Sequence, residues 1–169
     1  MDQAAKAHAF KALHERSRLF VIPNPWDGAS AKLLASLGFE ALTTTSAGLA
    51  WAIGRPDNGV TREQSLANAR LIVDSVDLPV AADLENGFGH RPEDAAETIR
   101  RAAEIGLVGG SIEDATNDPS RPIYDLGLAV ERVAAAAEAA HSLGFPFMFV
   151  ARAENHLHGR NDLDDTLKR

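Results

Sequence analysis

Residues Val80 to Gly89 read VAADLENGFG, an apolar run that stops at Asp83, places Glu85 two positions later and then meets Gly87 and Gly89. Residues i and i+2 of a strand share a face, so Asp83 and Glu85 would hold like charges side by side. Two later apolar runs end in a further carboxylate, Glu113 in SIEDA, and in an arginine, Arg152 in VARAEN. Three converging carboxylates must either take up protons or share a cation. Mg²⁺ uses one or two carboxylates with waters and substrate oxygens in an octahedron, and Mn²⁺ suits the same oxygen donors. Arg152 can then grip a substrate carboxylate in a bidentate fork, while Ser46 and neighbouring backbone N–H groups receive another oxyanion. The competing account treats the acids as separate strand-end charges satisfied by helix termini and water. Residue types alone weigh the two accounts about equally.

Other motifs carry less. Gly87-Phe88-Gly89 opens like a dinucleotide fingerprint, but its sixth position is Pro92, so the third glycine is missing. His156 and His158 in ENHLHG are better read as polar loop residues than as metal ligands. No G-x-S-x-G elbow is present. His8 and His14 read as surface positions of a first helix, and Trp26 and Trp51 as packing residues.

The elements that must position these groups follow a repeated order. A helix-like segment closes on glycine, an apolar run follows, and the run ends in polar residues: LLASLG-FEALTTTS, RAAEIG-LVGGSIED and AAHSLG-FPFMFVARAE. Gly38, Gly106 and Gly144 are the expected left-handed helix caps. Asp27 is an N-cap, Thr61 and Gln64 form a capping box, and Pro92 suits a first helical turn. DLDDTLKR reads as a last helix opening. The alternation predicts parallel βαβ units with five strands, at Leu19–Ile22, Ala41–Thr44, Val80–Ala82, Leu107–Ile112 and Phe147–Ala151. The chain, 1–169, reads as one domain. Asn24, Thr43 to Ser46, Asp83, Glu85, Glu113, Asp114, Arg152 and Glu154 all fall at carboxyl ends of strands, where parallel α/β folds bind ligands.

Bulk properties narrow the class. The 169 residues carry a net charge of −7 and a pI near 5.3, which excludes nucleic acid as the main partner. There is no cysteine, so disulfides, thiolate zinc sites and cysteine nucleophiles are excluded. No secretory signal and no stretch of about 20 apolar residues is seen. A soluble, cytoplasmic protein without membrane contact is the expectation.

PNPWDGASAKLLASLGFEALTTTSAGLA, GRPDN, AADLENGFG, SIEDA and VARAEN occur in that order. In this order the motifs resemble the isocitrate lyase / phosphoenolpyruvate mutase superfamily, over nearly the whole chain from about His8 to Arg169. The resemblance implies a (β/α)₈ TIM-type barrel, homo-oligomeric assembly and a Mg²⁺-dependent enzyme. Such an enzyme would make or break C–C or P–C bonds of a small 2-oxo acid through an enolate. It implies Asp83 as the direct metal ligand, with Glu85 and Glu113 acting through metal-bound water. It further implies Asp57 of GRPDN behind the metal, Thr45, Ser46 and Ala47 around the substrate's carboxylate and oxo oxygens, and Arg152 facing the substrate.

Two departures qualify what is expected. The superfamily's isocitrate lyases use a cysteine after strand four, where this chain reads DATNDPSRPIYD, so that activity is not expected. Asn117 is available in this loop but no lysine is, and Arg121 is the nearest replacement. A full barrel takes about 250 residues, and this chain accounts for only five βα units. It is expected to be truncated, to complete its barrel by association, or to belong to a longer protein. An inactive barrel subunit that keeps only the metal site is therefore the alternative to an enzyme.

Overall fold

The computed structural model describes residues 1–169. Helix α1 (Gln3–Glu15) is followed by α2 (Gly28–Ser36), β1 (Leu42–Thr43), α3 (Ser46–Ala52) and α4 (Arg62–Ser75). Then come β2 (Val80–Asp83), α5 (Pro92–Glu104), β3 (Gly109–Glu113), α6 (Leu126–His141), β4 (Met148–Arg152) and α7 (Leu163–Lys168). The strands form one parallel sheet in sequential order, the arrangement right-handed βαβ crossovers produce. Asp83 pairs with Ser111, and Glu113 with Arg152, so the polar ends of β3 and β4 stand in register and that of β2 lies two residues earlier.

The sheet has four strands, not five. Residues Leu19 to Ile22 run extended beside β1 without joining the ladder. Pro23 O accepts from Thr43 N at 3.1 Å, but Pro23 and Pro25 have no N–H to return, so the exchange a ladder needs cannot develop. The alternation of an edge strand survives: Leu19 and Val21 face solvent while Phe20 and Ile22 pack inward.

Several helix ends follow from local chemistry. Asp27 accepts from Ser30 N at 2.7 Å and the Ser30 hydroxyl reciprocates; Thr61 and Gln64 make the same exchange at α4. Gly38 and Gly106 are left-handed, as expected of helix caps, whereas Gly144 is not. There α6 already ends in right-handed Ser142, whose N–H returns to Glu138 O. Helix α3 was not foreseen; Thr45 caps it, its hydroxyl accepting from Gly48 N at 3.1 Å.

The main core lies between the sheet and helices α2, α4, α5 and α6, with Leu42, Ile72, Val80, Leu84, Ile99, Leu107 and Ile112 fully buried. Each contributes about 1.5–3 kcal/mol of apolar burial, as an upper estimate. Helix α5 buries Ala95, Ala96, Ile99, Ala102 and Ala103, a three–four spacing that forms one apolar face. A smaller cluster seats Phe10 and Ala7 of α1 against Ala41, Ala81 and Val108, covering the amino ends of the strands. Gly109 permits this approach, since a Cβ there would lie 3.0 Å from the Phe10 ring. Trp26 and Trp51 are 48% and 71% exposed, so they are not the packing residues expected. No helix is long and apolar enough to cross a membrane.

Candidate active site

The carboxyl ends of β1 to β4 meet at two adjoining cavities. One, of about 340 Å³, is lined by Asn24, Thr43 to Ala47, Asp57, Asp83, Ser111 and Arg152. Another, of about 450 Å³, shares Ser46, Asp57 and Arg152 and adds Glu113, Asn117, Asp118, Glu154, Leu157 and His158 among others.

Asp83 closes β2 and is half-buried. Its Oδ2 accepts from the Ser46 hydroxyl at 2.8 Å and from the Ser46 amide at 3.2 Å. Its own amide donates to Thr44 Oγ1 at 3.1 Å. Glu85 does not share a strand face with Asp83. The strand has ended, and Glu85 takes a left-handed backbone with φ +48°. This conformation costs a non-glycine residue on the order of 1–3 kcal/mol. It drives the side chain inward to 3% exposure and leaves Oε1 buried without a hydrogen-bond partner. Burial first, then Asp83, Glu113 and Asp57, push the Glu85 carboxyl up to about 8. Glu113, at the end of β3, is pushed up to about 7 by burial, by Glu154 and by Asp83, with Arg152 pulling it back.

Arg152 is less free than its sequence position suggests. Its Nε lies 2.5 Å from Glu154 Oε1 and its Nη1 3.8 Å from Glu113 Oε2. Burial pulls this guanidinium down, but Glu154, Glu113 and Asp83 outweigh it and raise it above the ordinary arginine value. Asp57, on the exposed loop before α4, accepts from Asn58 N at 3.0 Å and lines both cavities. Thr45, Ser46 and Ala47 open α3 on the wall of the smaller cavity. The Thr45 hydroxyl is occupied in capping and the Ser46 hydroxyl in holding Asp83, so neither stands idle for a ligand.

The sequence places Thr44, Asp114 and Glu154 at strand ends without assigning them separate roles, and it does not single out Arg169. Asp114 Oδ1 accepts from Glu154 N at 2.8 Å and Asp114 Oδ2 pairs with Arg169 at 3.1 Å, both side chains being almost fully buried. The available signal was spacing: Glu154 follows Arg152 by two residues, and Asp114 follows Glu113 directly. Arg121 lines a different cavity with His90, Thr116 and Tyr124, so it does not replace the lysine absent from the loop. His156 and His158 are exposed.

The donor set fits a hard divalent ion through its chemistry, not through a ready-made cage. No group of three or more His, Asp or Glu side chains is arranged to hold a metal directly. One or two carboxylates with water is the usual Mg²⁺ habit. The orphaned Glu85 oxygen is a buried acceptor without a partner, and burial with neighbouring carboxylates raises the pKa of both Glu85 and Glu113.

Comparison with known proteins converges. The family model for phosphoenolpyruvate phosphomutase matches residues 10–169. The crystal structure of a candidate lyase/mutase from Burkholderia cenocepacia J2315 superposes with TM-score 0.95 at 58% identity, covering 98% of this chain and 59% of that one. The 2,3-dimethylmalate lyase of Eubacterium barkeri is 32% identical over 116 residues, 68% of this chain and 39% of that protein. A crystal structure of a 2,3-dimethylmalate lyase matches with TM-score 0.85 at 28% identity, over 99% of this chain and 58% of that one. The chain spans about half the length of the curated relatives it matches.

Proposed function

The chain belongs to the phosphoenolpyruvate phosphomutase family, and on that premise we propose that it forms the metal- and substrate-binding part of a Mg²⁺-dependent lyase-type enzyme. The substrate is a small 2-oxo acid whose C–C or P–C bond is cleaved through an enolate. The family lies within the superfamily that the ordered motifs resemble, and its parallel α/β fold is that of the TIM-type barrels among the matched structures.

The observation that carries the reading is the cluster at the ends of β2, β3 and β4. Asp83, Glu113 and Glu154 stand near the single guanidinium of Arg152, with Glu85 buried close to Asp83 and Glu113, and burial followed by neighbouring carboxylates pushes the Glu85 and Glu113 carboxyls up to about 8 and about 7. Asp83 would hold Mg²⁺ (or Mn²⁺) directly, with Glu85 and Glu113 ordering its waters. The ion supplies Lewis-acid stabilisation of charge developing on the 2-oxo oxygen. Ser46 keeps the Asp83 carboxylate in one orientation. Arg152, balanced between Glu113 and Glu154, offers a fixed cation to the substrate carboxylate. Asp57 borders the substrate from the open side, and Thr45 and Ala47 shape the cavity wall.

Calorimetric titration of oxalate, a mimic of the pyruvate enolate, with and without Mg²⁺ tests the proposal. Binding that needs Mg²⁺ is expected; absence of binding in both conditions overturns it. A second reading is an inactive barrel subunit that retains only the metal site. Oxalate binding without pyruvate release from any 2-oxo acid would select it. Homo-oligomerisation, a cytoplasmic location and a single domain over 1–169 belong to the same proposal.

A further inference from the structure

The segment from Glu85 to Arg91 is gripped from outside by two arginines that have no carboxylate partner. Arg132 of α6 is 1% exposed. Its Nη1 donates to Gly89 O at 2.8 Å and to Arg91 O at 3.2 Å, and its Nη2 donates to Asn86 O. Its guanidinium carbon lies 4.4 Å from the centre of the Tyr124 ring. Arg62 of α4 donates through Nη2 to Gly87 O at 3.1 Å and, at 3.4 Å, to Phe88 O. Thr98 of α5 adds a hydroxyl to Gly87 O at 2.7 Å. The Nε atoms of both arginines are buried and unpartnered.

Burying a guanidinium against neutral acceptors is costly when no carboxylate pairs with it directly; Asp94 acts on both arginines only from a distance. Between them the two arginines divide the carbonyls of one segment: Arg132 takes those of Asn86, Gly89 and Arg91, and Arg62 those of Gly87 and Phe88, with Asp94 O at 3.5 Å beyond it. These carbonyls belong to a backbone that turns through three left-handed residues, Glu85 at φ +48°, Gly87 at +81° and Phe88 at +58°. Glycine accepts such a turn; glutamate and phenylalanine hold it only when the surroundings over-determine it. A planar fork of five donors suits several carbonyls at fixed angles, which a single ammonium cannot cover. On the inner side, Glu85 O accepts from Glu113 N at 2.9 Å, so the turn is also tied to the end of β3.

We propose that Arg62 and Arg132 are positioning residues: by capping the carbonyls of the 86–91 segment they hold Glu85 in its left-handed turn and aim its carboxyl towards Asp83 and Glu113. The assignment rests on the reading of these carboxylates as the cation-holding group. It places the specifying charges on two helices far from the chemistry in sequence, 23 residues before Glu85 and 47 after it.

The test compares Arg62→Gln and Arg132→Lys with the control Arg101→Gln, whose side chain pairs with exposed Glu63. Amide hydrogen exchange is followed in the metal-free protein, and Mg²⁺-dependent oxalate binding by calorimetry. Protection at the Gly87, Phe88 and Glu113 amides is expected to fall at least 10-fold in both variants, while the other β3 amides stay within about 2-fold. Oxalate affinity in Mg²⁺ is expected to fall at least 10-fold, and the control to change neither. Unchanged loop protection in a folded variant overturns the proposal, as does a uniform loss across the sheet. A loosened loop with undiminished oxalate affinity overturns the positioning role. Should Arg132→Lys not fold, Arg62→Gln alone decides. If the unsubstituted chain fails to bind oxalate with Mg²⁺ while the loop loosens in the variants, the cation reading falls and the assignment of the two arginines to the loop is supported.

Discussion

The Ser46 hydroxyl donates to Asp83 Oδ2 at 2.8 Å, and the Ser46 amide donates to the same oxygen at 3.2 Å. A residue at the start of α3 thus fixes the carboxylate that ends β2, and Glu85 N donates to the other oxygen, Oδ1, at 3.2 Å. Replacing Ser46 with Ala removes one of the three donors. A hydrogen bond to a charged group contributes about 1.5–3 kcal/mol, so Mg²⁺-dependent oxalate binding should weaken by at least ~10-fold. The fold should be unaffected, because the amide still donates; titration calorimetry and thermal melting check both halves.

Glu85 and Glu113 make the metal-free protein sensitive to pH. Their folded carboxyls hold protons up to about 8 and about 7, well above the ordinary carboxylate value of the unfolded chain. The folded state then binds more protons than the unfolded state, so stability falls as pH rises from about 5 to about 8. Glu85→Gln removes the larger part of that slope, and the variant should melt at a higher temperature than the parent at pH 8 without metal. Melting curves between pH 5 and 8 measure this. Added Mg²⁺ should restore the parent at pH 8 by mass action and leave Glu85→Gln less responsive.

Arg152 cannot be replaced by lysine without loss. Its Nε serves Glu154 and its Nη1 faces Glu113, a division of the planar fork that a single ammonium does not reproduce. Arg152→Lys should weaken oxalate binding at least ~10-fold while Mg²⁺ binding alone changes less. Separate titrations of the two ligands distinguish these effects. Equal losses for both would mean that Arg152 serves the carboxylates only.

Asp114 and Arg169 form a pair at 3.1 Å with side chains 6% and 5% exposed. Arg169→Ala leaves the Asp114 charge buried and alone, a change that costs about 3–5 kcal/mol. Asp114 also receives the Glu154 amide, so the loss should reach Arg152 and reduce oxalate binding in the fraction that remains folded. Denaturant unfolding gives the first quantity and calorimetry the second. The double substitution Asp114→Asn/Arg169→Ala should recover part of the stability, since no charge is then stranded.

The parts of this architecture written in local chemistry were readable. The N-cap at Asp27, the capping box of Thr61 and Gln64, the helical start at Pro92 and the apolar runs of β2, β3 and β4 depend on neighbours within a few residues. The acidic residues were readable as a group because they fall at corresponding strand ends. The left-handed turn at Glu85 was not, because its cause is Arg62 and Arg132, which the chain brings in from α4 and α6. For the same reason the shared-face argument for Asp83 and Glu85 rests on a geometry that the structure replaces. The strand expected at Leu19–Ile22 failed on a nearer fact: its pattern alternates, but the prolines that follow cannot return hydrogen bonds.

The crowd of acids around Arg152 has a consequence for traffic into the site. Asp57, Asp83, Glu113 and Glu154 border the two cavities with one guanidinium among them, so the empty mouth presents a negative field to any approaching anion. A 2-oxo acid would be turned away until a divalent ion had entered. On the proposed function arrival would be sequential, ion first and acid second, and the association rate of oxalate should rise steeply with Mg²⁺ at fixed oxalate. Added inert salt, which slows encounter where opposite charges attract, should speed the approach of oxalate to the ion-free mouth.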